Sequence, residues 1–244
     1  MAIPGGSTFT ERILEIYDRS APHQIHPFIG DAFLAPDDTR LRVMVVGINA
    51  YVSERDRAAQ SPAWFPAWFR EQRDRFHKGV WRDVGELSRA LVAPPCLFEG
   101  KTLDGRASLY VTNAVKEYVP EAQGKRADQI PPEHFTNFLP AWYAELEVMA
   151  DSGAFPHVIA IVGAPFWGHA CRTFQPSTAP PGLGVQAYRM VAGPCLHFVN
   201  RITRLRDGTL NDTLLVRLRH PAARTRAGSP AWLLDDERFQ AVSR

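Results

Sequence analysis

Val43-Met44-Val45-Val46-Gly47-Ile48-Asn49-Ala50-Tyr51 is the stretch that decides the fold of this chain. An unbroken apolar run closed by glycine is the pattern of a strand covered on both faces, as strands are in parallel sheets. Three further runs repeat it. Leu109-Tyr110-Val111-Thr112 leads into Asn113-Ala114-Val115-Lys116, and Val158-Ile159-Ala160-Ile161-Val162 closes on Gly163. The fourth, Thr213 to Leu218, leads into His220-Pro221-Ala222-Ala223-Arg224. Helical patterns lie between them. Thr8-Phe9-Thr10-Glu11 reads as a capping box that opens a first helix. Trp81, Val84, Leu87 and Leu91 recur at helical spacing until Pro94-Pro95. Residues 133–150 read as one amphipathic helix with Leu139, Tyr143, Leu146 and Met149 inward, capped by Gly153. Pro165 is expected to start another helix, and Trp232 to Val242 reads as a closing one.

Strands alternating with helices predict an α/β protein: a three-layer α/β/α domain around a central, mainly parallel sheet of about four strands. Residues 20–41, 52–80, 120–132 and 175–184 read as loops or irregular chain. Residues 186–210 suggest a hairpin turning at Asp207-Gly208. No linker or internal repeat divides the sequence, which predicts a single domain over residues 1–244.

The formal net charge is +2, so the balance of charges excludes no partner class. The basic residues are unevenly placed: Arg201, Arg204, Arg206, Arg217, Arg219, Arg224 and Arg226 are opposed nearby only by Asp207 and Asp212. Such a cluster suits a solvated face or a nucleic-acid surface. Three widely spaced cysteines without a CxxC predict neither a disulfide framework nor a zinc or iron–sulfur site. No apolar stretch is long enough to span a membrane, and no charged-then-apolar leader opens the chain. The expectation is a cytoplasmic, monomeric protein.

The chain carries no GxxxxGK[ST] loop, no GxGxxG after its first buried strand and no GxSxG elbow. His23, His26, His77, His134, His157, His169 and His197 form no metal-ligand signature and read as surface or structural histidines. What remains is a set of strand ends carrying Asn49, Asn113 and His220. In open α/β sheets ligands sit outside the carboxyl ends of the strands, so these three predict a polar crevice there.

Taken in order, the motifs resemble those of the uracil-DNA glycosylase superfamily. Gly47-Ile48-Asn49-Ala50-Tyr51 is similar to its first motif, and Val111-Thr112-Asn113-Ala114-Val115-Lys116 to the strand-end motif of its thermophilic-type members. His220-Pro221 is similar to its second catalytic motif, so the likeness spans residues 41–232. The asparagine at Asn49 resembles the mismatch-specific and single-strand-selective branches, whereas many members have aspartate there. Ala50 departs from the proline common at its position. Tyr51 is similar to the efficient uracil enzymes, in which a tyrosine shields the pyrimidine C5 position. The chain mixes branches and fits none of them.

The resemblance implies a monofunctional DNA glycosylase that flips a base and hydrolyses its N-glycosidic bond in DNA repair, with no cofactor. Such a reaction builds positive charge on the sugar and negative charge on the leaving base. His220 would donate to the base oxygen. Asn49, which cannot take up a proton at neutral pH, would orient the attacking water. Asn113 would read the base, its amide matching the O4 and N3–H edge of uracil and mismatching cytosine. Gly47, Ile48 and Tyr51 would complete the base pocket. A flipped base needs an aromatic neighbour. Among Trp64, Phe65, Trp68 and Phe69 the choice by spacing is Phe65. Arg224 stands where the single-strand-selective group carries an arginine wedge. Lys116, Arg217, Arg219 and Arg226 would bind flanking DNA phosphates. Two alternatives stay open: a weak or inactive nucleic-acid-binding relative, or a glycosylase specialised for another modified base. An α/β enzyme acting on a free nucleoside or nucleotide is a third.

Overall fold

The structure is a computed structural model that describes residues 8–19, 25–34, 39–49, 63–71, 98, 100–102, 105–117, 130–163, 165–177, 196–205 and 210–218. The first helix, α1 (Phe9–Asp18), starts as expected. Thr8 Oγ1 accepts from the Glu11 amide, and the Glu11 carboxylate accepts from the Thr8 amide. These two bonds satisfy amide groups that a helix start otherwise leaves without partners.

Seven strands form one mixed sheet among the described residues. In chain order they are β1 (Phe28–Ile29), β2 (Val43–Asn49), β3 (Leu109–Val115), β4 (Val158–Val162), β5 (Phe174–Ser177), β6 (Leu196–Leu205) and β7 (Leu210–Leu218). Their spatial order is β1-β3-β2-β4-β7-β6-β5. The four apolar runs of the sequence are the central strands β3, β2, β4 and β7, and all their pairings are parallel. The expected sheet of about four strands is therefore too small. Antiparallel β1 widens it on one side, and antiparallel β6 and β5 widen it on the other. The hairpin expected in residues 186–210 pairs β6 with β7, so the last central strand is its second arm.

Side chains alternate across the sheet, and both faces are covered. Val43, Val45, Leu109, Val111, Val158, Ala160, Leu214 and Val216 share a buried cluster with Phe65, Phe69 and Phe98. Met44, Val46, Tyr110, Ile159, Ile161 and Leu215 pack on the opposite face with Ile13, Tyr17, Trp142, Leu146, Met149 and Phe166. Period-two alternation with apolar residues on both sides is why each strand reads as an unbroken apolar run. The three-layer α/β/α arrangement follows.

Two helical expectations are corrected. Residues 52–80 were expected to be irregular, yet α2 (Trp64–Glu71) lies within them and packs Phe69 on Phe28 at 4.6 Å between ring centroids. The single helix expected over 133–150 is two, α3 (Pro132–Asn137) and α4 (Leu139–Asp151), broken at Phe138. Pro140 sits in the first turn of α4, the position where its missing N–H costs nothing and continuation from a preceding helix is blocked. Gly153 takes φ +66° just past α4, the left-handed conformation that ends helices. The last described helix, α5 (Trp167–Thr173), follows β4. The helices expected over 81–91 and 232–242 lie outside the described residues.

Candidate functional site

The chain leaves β2 for β3 on one side and later passes to β4 on the other. Connections that diverge from adjacent parallel strands open a crevice at their carboxyl ends, the usual ligand position in open α/β sheets. At that edge the register sets Gly47 against Asn113 and Asn49 against Val115. Beyond β4, the Gly163 amide donates to the Leu218 carbonyl at 2.8 Å, so β7 ends on the same edge. The expected convergence of strand ends is present in the backbone. His220 follows two residues after the end of β7. His220, Arg219, Arg224, Arg226 and Tyr51 lie outside the described residues, as does the side chain of Asn49.

Asn113 is buried, with 7% of its surface exposed, and its amide lies across β2. A Cβ built on Gly47 would stand 2.5 Å from Asn113 Oδ1, closer than any real contact, and 3.6 Å from its Cγ. The amide thus occupies the space that any side chain at position 47 would take. Its oxygen end faces Gly47. Ile48 is 3% exposed and belongs to the core on the α4 side, so its side chain does not line the crevice. Arg217 is half-buried within β7, opposite Ile161 of β4.

Two site expectations change. Lys116 is not a surface phosphate ligand. Its side chain is fully buried, and Nζ donates to Thr112 Oγ1 at 2.7 Å and to Glu145 Oε2 at 2.5 Å. Phe65 is packed in the core beneath α2, 6.0 Å from Phe69 between ring centroids, rather than standing free for a base. Trp64 and Trp68 are the half-buried members of the aromatic group, stacked on each other at 5.7 Å.

The Lys116 network was missed by the sequence reading. Tyr110 Oη donates to Glu145 Oε1 at 2.6 Å, Tyr17 Oη donates to the same oxygen, and Thr112 Oγ1 lies 2.8 Å from Tyr17 Oη. Burial raises both tyrosine hydroxyls well above their ordinary range, and the Glu145 charge raises them further. Burial lowers the Lys116 ammonium, against the opposing pull of Glu145. The signal in the sequence was Glu145 itself, set among Trp142, Leu146 and Met149 on the apolar stripe of α4. The network ties α1, α4 and β3 together directly behind the strand end that carries Asn113.

His157 and His169 take structural positions. His157 Nδ1 accepts from the Arg42 amide at 3.0 Å, and His169 stacks on Phe166. His26 lies 3.4 Å from Asp18, and His134 lies 3.4 Å from Glu117. Among the described residues no group of three or more metal-ligating side chains converges, and no helix is long and apolar enough to cross a membrane. No protein-family model matches the chain, and no curated protein matches it.

Proposed function

We propose that this chain is a monofunctional DNA glycosylase that flips uracil or a related modified pyrimidine out of DNA and hydrolyses its N-glycosidic bond. The observation that carries the reading is the buried amide of Asn113, set beside Gly47 near the carboxyl ends of the parallel strands. A rigid amide in a crevice can pair with the N–H and carbonyl of one base edge and leaves a mismatched edge with unpaired polar groups. Asn49 ends the neighbouring strand, and β7 ends at the same edge two residues before His220 in the sequence. In the reaction His220 donates to the departing base oxygen, and Asn49 holds the water that attacks the sugar carbon. Arg224 fills the stack emptied by the flipped nucleotide, which offsets part of an unstacking cost of a few kcal/mol. The inward turn of Lys116 leaves phosphate contacts to Arg217, Arg219 and Arg226. A buried, ion-paired ammonium is also not placed to attack a sugar, so Lys116 is not a nucleophile in this reading.

The test is strand cleavage by alkali after incubation with uracil-containing oligonucleotides, single- and double-stranded, for wild type, His220→Ala and Asn49→Ala. Loss of one preorganised donor to a developing charge lowers turnover by roughly 10²–10³-fold, the expected deficit for His220→Ala. Wild-type turnover in both variants would remove these assignments. Absence of base release from any modified oligonucleotide, with salt-sensitive DNA binding retained, would favour the inactive nucleic-acid-binding relative.

A further inference from the structure

We infer that Gly47 is a specificity-determining residue: by having no side chain it seats the Asn113 amide in one orientation, and that orientation selects the base edge. The inference rests on the glycosylase reading for its functional meaning, but its geometry stands by itself. The Asn113 oxygen leads toward β2, 2.5 Å from where a Cβ of residue 47 would be, and the nearest main-chain atom to that point is the Thr112 carbonyl oxygen at 3.6 Å. Among the described residues the amide is therefore the group that a methyl at position 47 would press on first. On the opposite face of β3, Thr112 and Lys116 are tied to Glu145, which resists a shift of the strand. Rotation of the Asn113 side chain, whose far end makes the close approach, is the easier relief.

The orientation has a chemical consequence. With Oδ1 set against Gly47, a base entering the crevice meets an acceptor beside a donor in a defined order. An edge that carries N–H beside a carbonyl, as uracil does, satisfies both. Cytosine would set a ring-nitrogen lone pair against Oδ1 and leave both unsatisfied. Gly47→Ala keeps the Asn113 amide and alters the order in which its oxygen and nitrogen are presented.

The experiment uses the full chain with Gly47→Ala, Asn113→Ala and the double variant. The side-chain amide resonances of Asn113 are followed by 15N NMR in wild type and Gly47→Ala, and turnover on uracil-containing DNA is measured in all four proteins. The expected result is a displaced or doubled Asn113 amide signal in Gly47→Ala. Turnover falls about 100-fold in each single variant, and the double variant is within about twofold of Asn113→Ala, because the two changes remove the same interaction. An unmoved Asn113 amide in Gly47→Ala overturns the inference, as does a double variant whose losses multiply. If Gly47→Ala does not fold, folding of the double variant confirms the clash, and failure of both to fold overturns it. Wild-type protein that releases no base ends the glycosylase reading, while the NMR comparison still decides whether Gly47 seats Asn113.

Discussion

At the scale of single residues, Lys116 shows how a side chain's neighbours decide its task. Read along the strand, a lysine three positions past Asn113 suits a DNA phosphate. Nothing in that spacing reveals that α4 brings Glu145 beneath it, because the contact joins positions 29 apart in sequence. A buried ion pair costs several kcal/mol per ion in desolvation and repays it only when further hydrogen bonds complete it. Here Tyr17, Tyr110 and Thr112 complete it. Removing one charge leaves the other stranded, so Lys116→Met is expected to cost about 3 kcal/mol, the lower end of the range for a broken buried pair. Glu145 keeps its hydroxyl donors, which is why the lower end applies. Adding Glu145→Gln removes the stranded charge while retaining an acceptor for both tyrosines. The double variant is then expected to recover at least half of the loss. Urea denaturation of the two single variants and the double one decides the matter. Strictly additive costs would mean that the charges are not coupled.

At the scale of elements, α2 carries the clearest prediction. Trp64 and Trp68, and Phe65 and Phe69, are spaced four apart, which is the helical period. The two prolines around them, Pro62 and Pro66, masked that signal, although proline is tolerated in the first turn. The consequence reached the site, because a helix turns Phe65 inward while an irregular loop would have left it free for a base. Phe65→Ala is expected to destabilise the protein by about 3 kcal/mol through the cavity it leaves, whereas Phe65→Leu keeps most of the packing. Thermal melts alongside turnover separate the roles: a stacking residue would lose turnover in both variants with the melting temperature unchanged. The parallel strands were legible because burial on both faces writes itself into sequence as a continuous apolar run. The capping box at Thr8 and the left-handed Gly153 were legible because each is a local device. The break between α3 and α4 had its signal in Pro140, overridden by the continuous apolar spacing from Phe135 to Met149. The close approach of Gly47 and Asn113 was not legible at all, since register between two parallel strands is set by the packing of the whole sheet.

At the scale of the whole molecule, the central parallel strands end on short antiparallel edges. β1 is two residues long, and the opposite edge strand β5 carries Pro176 and a register irregularity beside it. Short, proline-bearing edges resist the addition of a foreign strand. The interior between them holds two tyrosine hydroxyls, from α1 and β3, on a single carboxylate oxygen. This arrangement couples folding to alkaline pH. Tyr17 and Tyr110 have folded-state pKa values raised well above the ordinary 10.0. Between the unfolded and folded values the native protein binds more protons than the unfolded chain, so stability falls as pH rises. The contribution is complete below pH 10 and is lost progressively above it. Each tyrosine then lowers stability by up to about 1.4 kcal/mol per pH unit. Lys116, whose folded value is lowered, acts in the opposite direction, because there the unfolded chain binds the extra proton up to its own pKa near 10.5. Two raised tyrosines outweigh one lowered lysine, and above pH 10.5 the lysine contribution has ended while the tyrosine loss continues. Wild type is therefore expected to lose melting temperature steeply above pH 10.5, where both tyrosine contributions fall and the lysine no longer offsets them. Tyr17→Phe removes one of the two titrations and is expected to halve that slope, although it melts lower than wild type at pH 7 for want of the bond to Glu145. Parallel slopes for wild type and Tyr17→Phe across this window would show that the tyrosine does not hold its proton in the folded core.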